Sequence, residues 1–260
     1  MKVARPTRDI AISSPWFSMT PVEELAPAIF KEFSCWEIVA EHKHHLSVTG
    51  PYLREYLSSH DVELQVHAPL SDINISSFSE KVREASVADV IDTVRMAAGL
   101  GAKVVTFHPG HLSPVAQLDP KRVVRLTKEA VRRIARAGSE HGIPLAMENM
   151  PKMRMMTFPG PDELLECIDG TEVGVCLDIG HAHTTGTVEA FLPLAARFRN
   201  IHIHDNNGVW DEHLVLATGS APLERIASAL KDTYRHAWVI EAQNLDEGVQ
   251  SRDVLRKLLD

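Results

Sequence analysis

Short β-branched runs alternate along this chain with longer stretches of helical period, and the alternation repeats eight times. The runs are "DIAIS" (9–13), "WEIVAE" (36–41), "VELQVH" (62–67), "KVVTFH" (103–108), "PLAMEN" (144–149), "VGVCLD" (173–178), "NIHIHD" (200–205) and "AWVIEA" (237–242). Each is short and bounded by turn or helix signals, as buried strands are. Pro21 with Glu23 and Glu24 marks the first turn of a helix, and "SEKVREASVADVIDTVRMAAGLG" (79–101) runs to a glycine stop. "DPKRVVRLTKEAVRRIARAGSEHG" (119–142) opens on an Asp cap, carries Pro120 at its first position and stops at Gly142. "APLERIASAL" and "VQSRDVLRKLL" supply the last two helices. Even strand-then-helix units without a Pro/Gly/Ser-rich linker predict an α/β protein, a single (β/α)8 TIM barrel with residues 1–260 as one domain. A doubly wound open sheet is the runner-up, and it lacks its Gly-rich phosphate-binding turn here.

In such a barrel one side of every strand meets the helices and the other fills the interior, with chemistry gathered at the carboxyl ends of the strands. Alternation sets Glu37 and Glu41 inward on strand two, Glu63, Gln65 and His67 on strand three, and Thr106 and His108 on strand four. It sets Glu148 inward on strand five, Cys176 and Asp178 on strand six with His181 just beyond, and Glu241 on strand eight. Strand seven continues as "IHIHDNNGVWDEH" (201–213), where His202 and His204 share one face and a turn-like Asn-Asn-Gly precedes Asp211 and His213. The inward residue at or near the carboxyl end is therefore His or acidic on every strand from two to eight. One such residue is ordinarily solvated or bonded to backbone. Many together would repel and take up protons unless a divalent cation lies among them, so the convergence predicts a metal centre.

Composition narrows the partners. A 44% hydrophobic content supports a sizeable core, and a net charge of −8 argues against a nucleic-acid ligand. Cys35, Cys167 and Cys176 are odd in number and widely spaced, which reads as reduced thiols filling a cytoplasmic barrel. The start, "MKVARPTRDIAISS", has no apolar run of signal-peptide length, and no stretch approaches a membrane span.

Taken jointly, "VHAPLSDIN", "FHPGH", "MEN", "CLDIGHAH", "HIHD" with "DEH", and "IEA" resemble the xylose-isomerase-like TIM-barrel superfamily over about residues 9–242. That group holds sugar and sugar-phosphate isomerases and epimerases together with the endonuclease IV family of abasic-site nucleases. The resemblance implies Glu148, Asp178, His202 and Glu241 as ligands of a central metal. The nuclease branch implies further ligands at His67, His108, His181, Asp211 and His213, the last two joining His181 around an outer ion. His204 is expected to face substrate or to stand behind the ligands, and Glu37 with Asn149 to bind substrate hydroxyls. Imidazoles and carboxylates in this mixture suit zinc or manganese, one to three ions per chain. Where the family often has Gly-Glu-Gly after the Asp-x-His pair, this chain has Ala217, Thr218 and Gly219. It also carries "HKHHLSVTGP" where the nucleases have an arginine-rich DNA loop, and the "HKHH" cluster (42–45) reads as a solvated loop.

Two functions are open at this point. One is a metal-dependent isomerase or epimerase of a sugar or sugar phosphate, with Glu148 and Glu241 moving a proton between them. The other is a trinuclear phosphodiesterase acting on abasic-site DNA or another phosphoester, for which the full ligand set speaks and the missing DNA loop does not. Lys152 and Arg154 after strand five would be available to a phosphate.

Overall fold

Short runs buried on both faces, most of them rich in β-branched residues, form parallel strands in the computed structural model, which describes residues 10–260. The strands are β1 (Ile10–Ser13), β2 (Cys35–Val39), β3 (Glu63–His67), β4 (Val105–Phe107), β5 (Leu145–Glu148), β6 (Gly174–Asp178), β7 (Phe198–Ile203) and β8 (Trp238–Glu241). They close in sequence order, β8 pairing with β1, as a (β/α)8 TIM barrel. Every expected strand is present. Asp9, the first residue of the expected first strand, and the start of the chain lie outside the described residues.

The helices alternate with the strands: α1 (Val22–Glu32), α2 (Leu46–Ser59), α3 (Glu80–Gly99), α4 (Pro120–His141), α5 (Pro161–Ile168), α6 (Ile179–Thr185), α7 (Val188–Phe191), α8 (Leu223–Leu230) and α9 (Leu245–Leu259). Local chemistry sets their ends. The Asp119 carboxylate accepts the Arg122 N–H at 3.1 Å at the start of α4, and Gly142 leaves it in the left-handed conformation at φ 66°. Asn244 caps α9 by accepting the Glu247 N–H at 3.0 Å. Among the described residues no helix is long and apolar enough to cross a membrane.

The main core lies between sheet and helices. Trp36, Ile38, Leu64, Phe107, Ile201 and Trp238 point outward from their strands and are almost wholly buried against the helical layer. Burying each large apolar side chain is worth about 1.5–3 kcal/mol. The barrel interior is different. Its apolar fillings are two small groups, Ala11, Cys35, Ala237 and Val239, and Val104, Ala146 and Cys176. Small residues low in the barrel leave room for polar side chains above them.

Register sets the height of those side chains. Glu37 pairs with Gln65 and Val39 with His67, so Glu37 stands one inward layer below His67. A bulge between β6 and β7 after Val175 brings Asp178 level with His202.

Candidate functional site

Glu148, at the end of β5, is the centre of the mouth. Its Oε2 lies 3.1 Å from His67 Nε2, 3.4 Å from His202 Nδ1 and 3.5 Å from His108 Nε2. Its Oε1 lies 3.3 Å from His181 Nδ1. Glu241 faces it from β8, with Oε1 3.1 Å from the same His202 Nδ1. Asp178 divides its two oxygens between tasks. Oδ1 caps α6 by accepting the His181 N–H at 2.6 Å, while Oδ2 stands 4.0 Å from His202 Nδ1 without a hydrogen-bond partner.

The outer part of the mouth comes from α6 and the loop after β7. His181 Nε2 and His213 Nε2 approach Asp211 Oδ2 at 3.2 and 3.4 Å, and His204 Nε2 approaches Asp211 Oδ1 at 3.2 Å. That loop is clasped at its root, where Asp205 and Leu214 exchange backbone hydrogen bonds of 3.1 and 2.8 Å. The Asn-Asn-Gly turn reverses it, with Gly208 at φ 75° and its N–H donated to Asn206 Oδ1 at 2.9 Å. The Asp205 carboxylate accepts the backbone N–H groups of Gly219 and Ala221, both at 3.0 Å, which ties down the far side.

Three of the imidazoles, His67, His181 and His202, have one nitrogen committed and the other directed into the mouth. His67 Nδ1 is 2.7 Å from the Ala68 carbonyl and His181 Nδ1 is 2.8 Å from the Asn149 carbonyl, so each is the protonated nitrogen. His202 Nε2 meets Glu37 Oε1 at 2.8 Å. Metal-ligating histidines characteristically give their second nitrogen to a carboxylate or carbonyl in this way. Asp178 Oδ2, His202 Nδ1, His204 Nε2, Asp211 Oδ1 and His213 Nδ1 are buried without hydrogen-bond partners, and all belong to this cluster. Donor atoms approach within 4.8 Å of one another in His67–His108–Glu148, in Asp178–His202–Glu241 and in His181–His204–Asp211–His213. Orphaned lone pairs in groups of three and four fit divalent cations.

Without cations the cluster is held by protons. Burial opposes a charge on His181, but the Asp178 and Asp211 carboxylates beside it push it up to about 10. Burial likewise opposes charge on His202, yet Glu37, Glu148 and Glu241 surround it and raise it well above the ordinary value. Against the same burial penalty, His202 and His108 hold Glu148 well below the usual carboxylate range. Cys176 also comes near Glu148 and His202, but burial pushes its thiol well up. It stays a neutral thiol, as barrel filling should.

Glu37 and Asn149, expected to bind substrate hydroxyls, and His204, expected to face substrate or stand behind the ligands, are all buried among protein groups. Glu37 is wholly buried beneath His202 and also accepts from Asn200 Nδ2 at 2.6 Å. Asn149 spends both ends of its amide on the Asp178 backbone, accepting the N–H at 2.8 Å and donating to the carbonyl at 3.0 Å. It fixes the ends of β5 and β6 together. His204 is wholly buried and belongs to the outer group of donors. The sequence reading passed over Asn200, whose Nδ2 also reaches Thr106 Oγ1 at 2.8 Å. Its signal was parity, since it shares the inward face of β7 with His202.

The "HKHH" cluster is only partly a solvated loop. His42 and Lys43 are exposed, whereas His44 is buried, 2.9 Å from the Thr20 carbonyl and edge-on to Trp36. Burial pushes His44 down to about 4. Lys152 and Arg154 line a shallow pocket with Met153, Met156 and Thr185. Trp16, half-exposed, sets its ring edge-on to His213 at 5.7 Å.

The sequence profile of the xylose isomerase-like TIM barrels matches residues 32–258. The chain belongs to that family. An uncharacterised protein of Methanocaldococcus jannaschii is 33% identical over 237 residues, a match spanning 88% of this chain and 81% of that one. A D-tagatose 3-epimerase-like protein of known crystal structure superposes with a TM-score of 0.89 at 30% identity, covering 96% of this chain and 97% of that one. A probable endonuclease 4 of Campylobacter concisus is 32% identical over 122 residues, which is 44% of this chain and 40% of the nuclease.

Proposed function

We propose that this family member is a metal-dependent sugar epimerase that inverts the carbon beside a ketose carbonyl. One observation carries the reading. Glu148 and Glu241, from strands three apart, aim carboxylates at the same imidazole nitrogen, His202 Nδ1, at 3.4 and 3.1 Å. Two buried carboxylates facing each other over a shared centre suit removal of a proton from one face of a carbon and delivery to the other. The whole-length likeness to an epimerase-like protein supports the same reading.

Glu148, Asp178, His202 and Glu241 would hold the central ion, His67 and His108 would share Glu148 around a second, and His181, Asp211 and His213 would hold an outer one. Zinc or manganese suits these donors. A divalent ion there supplies Lewis-acid polarisation of a carbonyl and neutralises the crowded carboxylates. Glu148 takes the C–H proton, and the bonding electron pair moves toward the carbonyl. Glu241, protonated from solvent, returns a proton to the opposite face, and the two exchange roles in the reverse direction. Asn149 and Glu37 position ligands, so selectivity falls to rim residues such as Trp16 and Trp210, both exposed.

The second reading, a phosphodiesterase, is favoured by the adjacency of three donor groups. The net charge of −8 stands against a duplex ligand. So does the segment after β2, which is a short turn (His42–His44) followed by α2.

The test offers ketoses, their phosphates and abasic-site DNA to one metal-loaded preparation in deuterated water. An epimerase exchanges deuterium into the inverted carbon. Glu148→Gln and Glu241→Gln should each lose about 100- to 10,000-fold in turnover at saturating metal. If high metal restores Glu241→Gln to wild-type exchange and turnover, Glu241 is a ligand alone and the two-carboxylate mechanism fails.

A further inference from the structure

His204 has no task in that chemistry, yet its placement is costly. The ring is wholly buried. Its Nδ1 lies 3.3 Å from the Asp205 carbonyl, which can only accept, so Nδ1 carries the hydrogen. Nε2 is left without a hydrogen-bond partner, facing Asp178 Oδ1 at 3.4 Å and Asp211 Oδ1 at 3.2 Å. This is the arrangement of His67 and His181: one nitrogen committed to a backbone carbonyl, the other aimed at carboxylates.

Room for the ring is made by Gly180. A Cβ there would fall inside the imidazole of His204. Glycine within a helix costs about 0.5–1 kcal/mol relative to alanine, and Gly180 occupies α6 beside the ligand-type His181. The donor atoms of His181, His204, Asp211 and His213 all lie within 4.8 Å of one another. The rings of His204 and His213 stack at 4.0 Å, and His213 Nε2, on the loop, stands 3.4 Å from Asp211 Oδ2.

We propose that His204 is a fourth protein ligand of the outer ion, giving it a closed shell of three imidazole nitrogens and one carboxylate oxygen. This rests on the mouth being a metal centre and is independent of the epimerase assignment. Three imidazoles and one carboxylate fill a tetrahedral shell, as at structural zinc sites, whereas the carboxylate-rich central group suits an ion of higher coordination number that keeps places for substrate oxygens. The outer ion then fixes the loop that carries Asp211 and His213, and it offers no position to a hydroxide or a phosphate oxygen.

The decisive measurement is a crystal structure of the zinc-loaded wild-type protein with anomalous maps at the zinc edge. His204 Nε2 is expected at about 2.0–2.1 Å from the outer ion. An outer ion with three protein ligands and a water, and His204 out of reach, overturns the proposal and leaves the metal centre standing. Absence of zinc from every donor group overturns both. In solution, His204→Gln should weaken the outer ion by more than about 100-fold, beyond what loss of a merely supporting contact costs. Gly180→Ala, which displaces the ring and leaves every ligand in the chain, should weaken the same ion, and unchanged affinity in both variants would refute the fourth ligand.

Discussion

Replacing Glu37 by glutamine separates a residue that binds sugar from one that orients a ligand. Glu37 lies under His202, with Oε1 2.8 Å from Nε2 and Oε2 2.6 Å from Asn200 Nδ2. A glutamine of equal size can still set its amide oxygen beside His202 Nε2. Its amide nitrogen then faces the amide nitrogen of Asn200, so one buried hydrogen bond becomes a donor–donor contact. A hydrogen bond to a charged group is worth about 1.5–3 kcal/mol, which in a chain of this size lowers Tm by roughly 3–12 °C. Loss of the carboxylate behind a ligating histidine typically costs 10- to 100-fold in metal affinity, about 1.4–2.7 kcal/mol. Competition against a fluorescent chelator measures that affinity, and kcat and KM are then taken at saturating metal. The expected result is weaker metal, lower Tm and a near-normal KM for the sugar. Unchanged metal affinity with a raised KM would show that Glu37 meets substrate after all.

Removing Asp211 and His213 together by alanine should take away the proposed outer ion and leave the proposed epimerase activity in place. An enzyme that used that ion as a Lewis acid, worth several kcal/mol, would instead lose about 1000-fold or more in turnover. His44 gives the fold an acid sensitivity. Its ring is held at about 4 against an ordinary 6.5, so the unfolded chain binds a proton that the folded chain refuses, and stability falls as pH drops below 6.5. Urea unfolding should show a wild-type loss of at most about 2 kcal/mol by pH 5 relative to pH 7.5 that His44→Asn lacks; parallel pH profiles would refute this. Ala217 sits at φ 66°, left-handed backbone that disfavours a Cβ. Ala217→Gly should therefore raise Tm by about 2–4 °C for each kcal/mol of relieved strain, and a fall in Tm would show that the loop is not strained there.

The strands were legible because each is a short apolar run, most of them β-branched, with a polar group near its carboxyl end. α2 was harder, since Gly50 and Pro51 sit within it and read as breakers. For the site, alternation along a strand says which side chains face inward and nothing about their height. His67, Glu148, Asp178 and Glu241 lie at the carboxyl ends of their strands, so inward meant mouth. Glu37 lies in the middle of β2, level with Gln65, and the same parity put it one layer below His67. Asn149 has its fate decided by the backbone of a neighbouring strand, and His204 by a glycine far from it in sequence. Contacts of that kind leave no trace in a local pattern.

The clasp between Asp205 and Leu214 separates the inheritance of chemistry from the inheritance of taste. With the root of the loop fixed by two backbone bonds, Val209 and Trp210 at its tip stand in solvent. Such exposed tips accept substitution and insertion readily. A descendant of this barrel could thus try new ligands by rewriting a few codons at the tip, while the histidines and carboxylates of the mouth pass on unchanged.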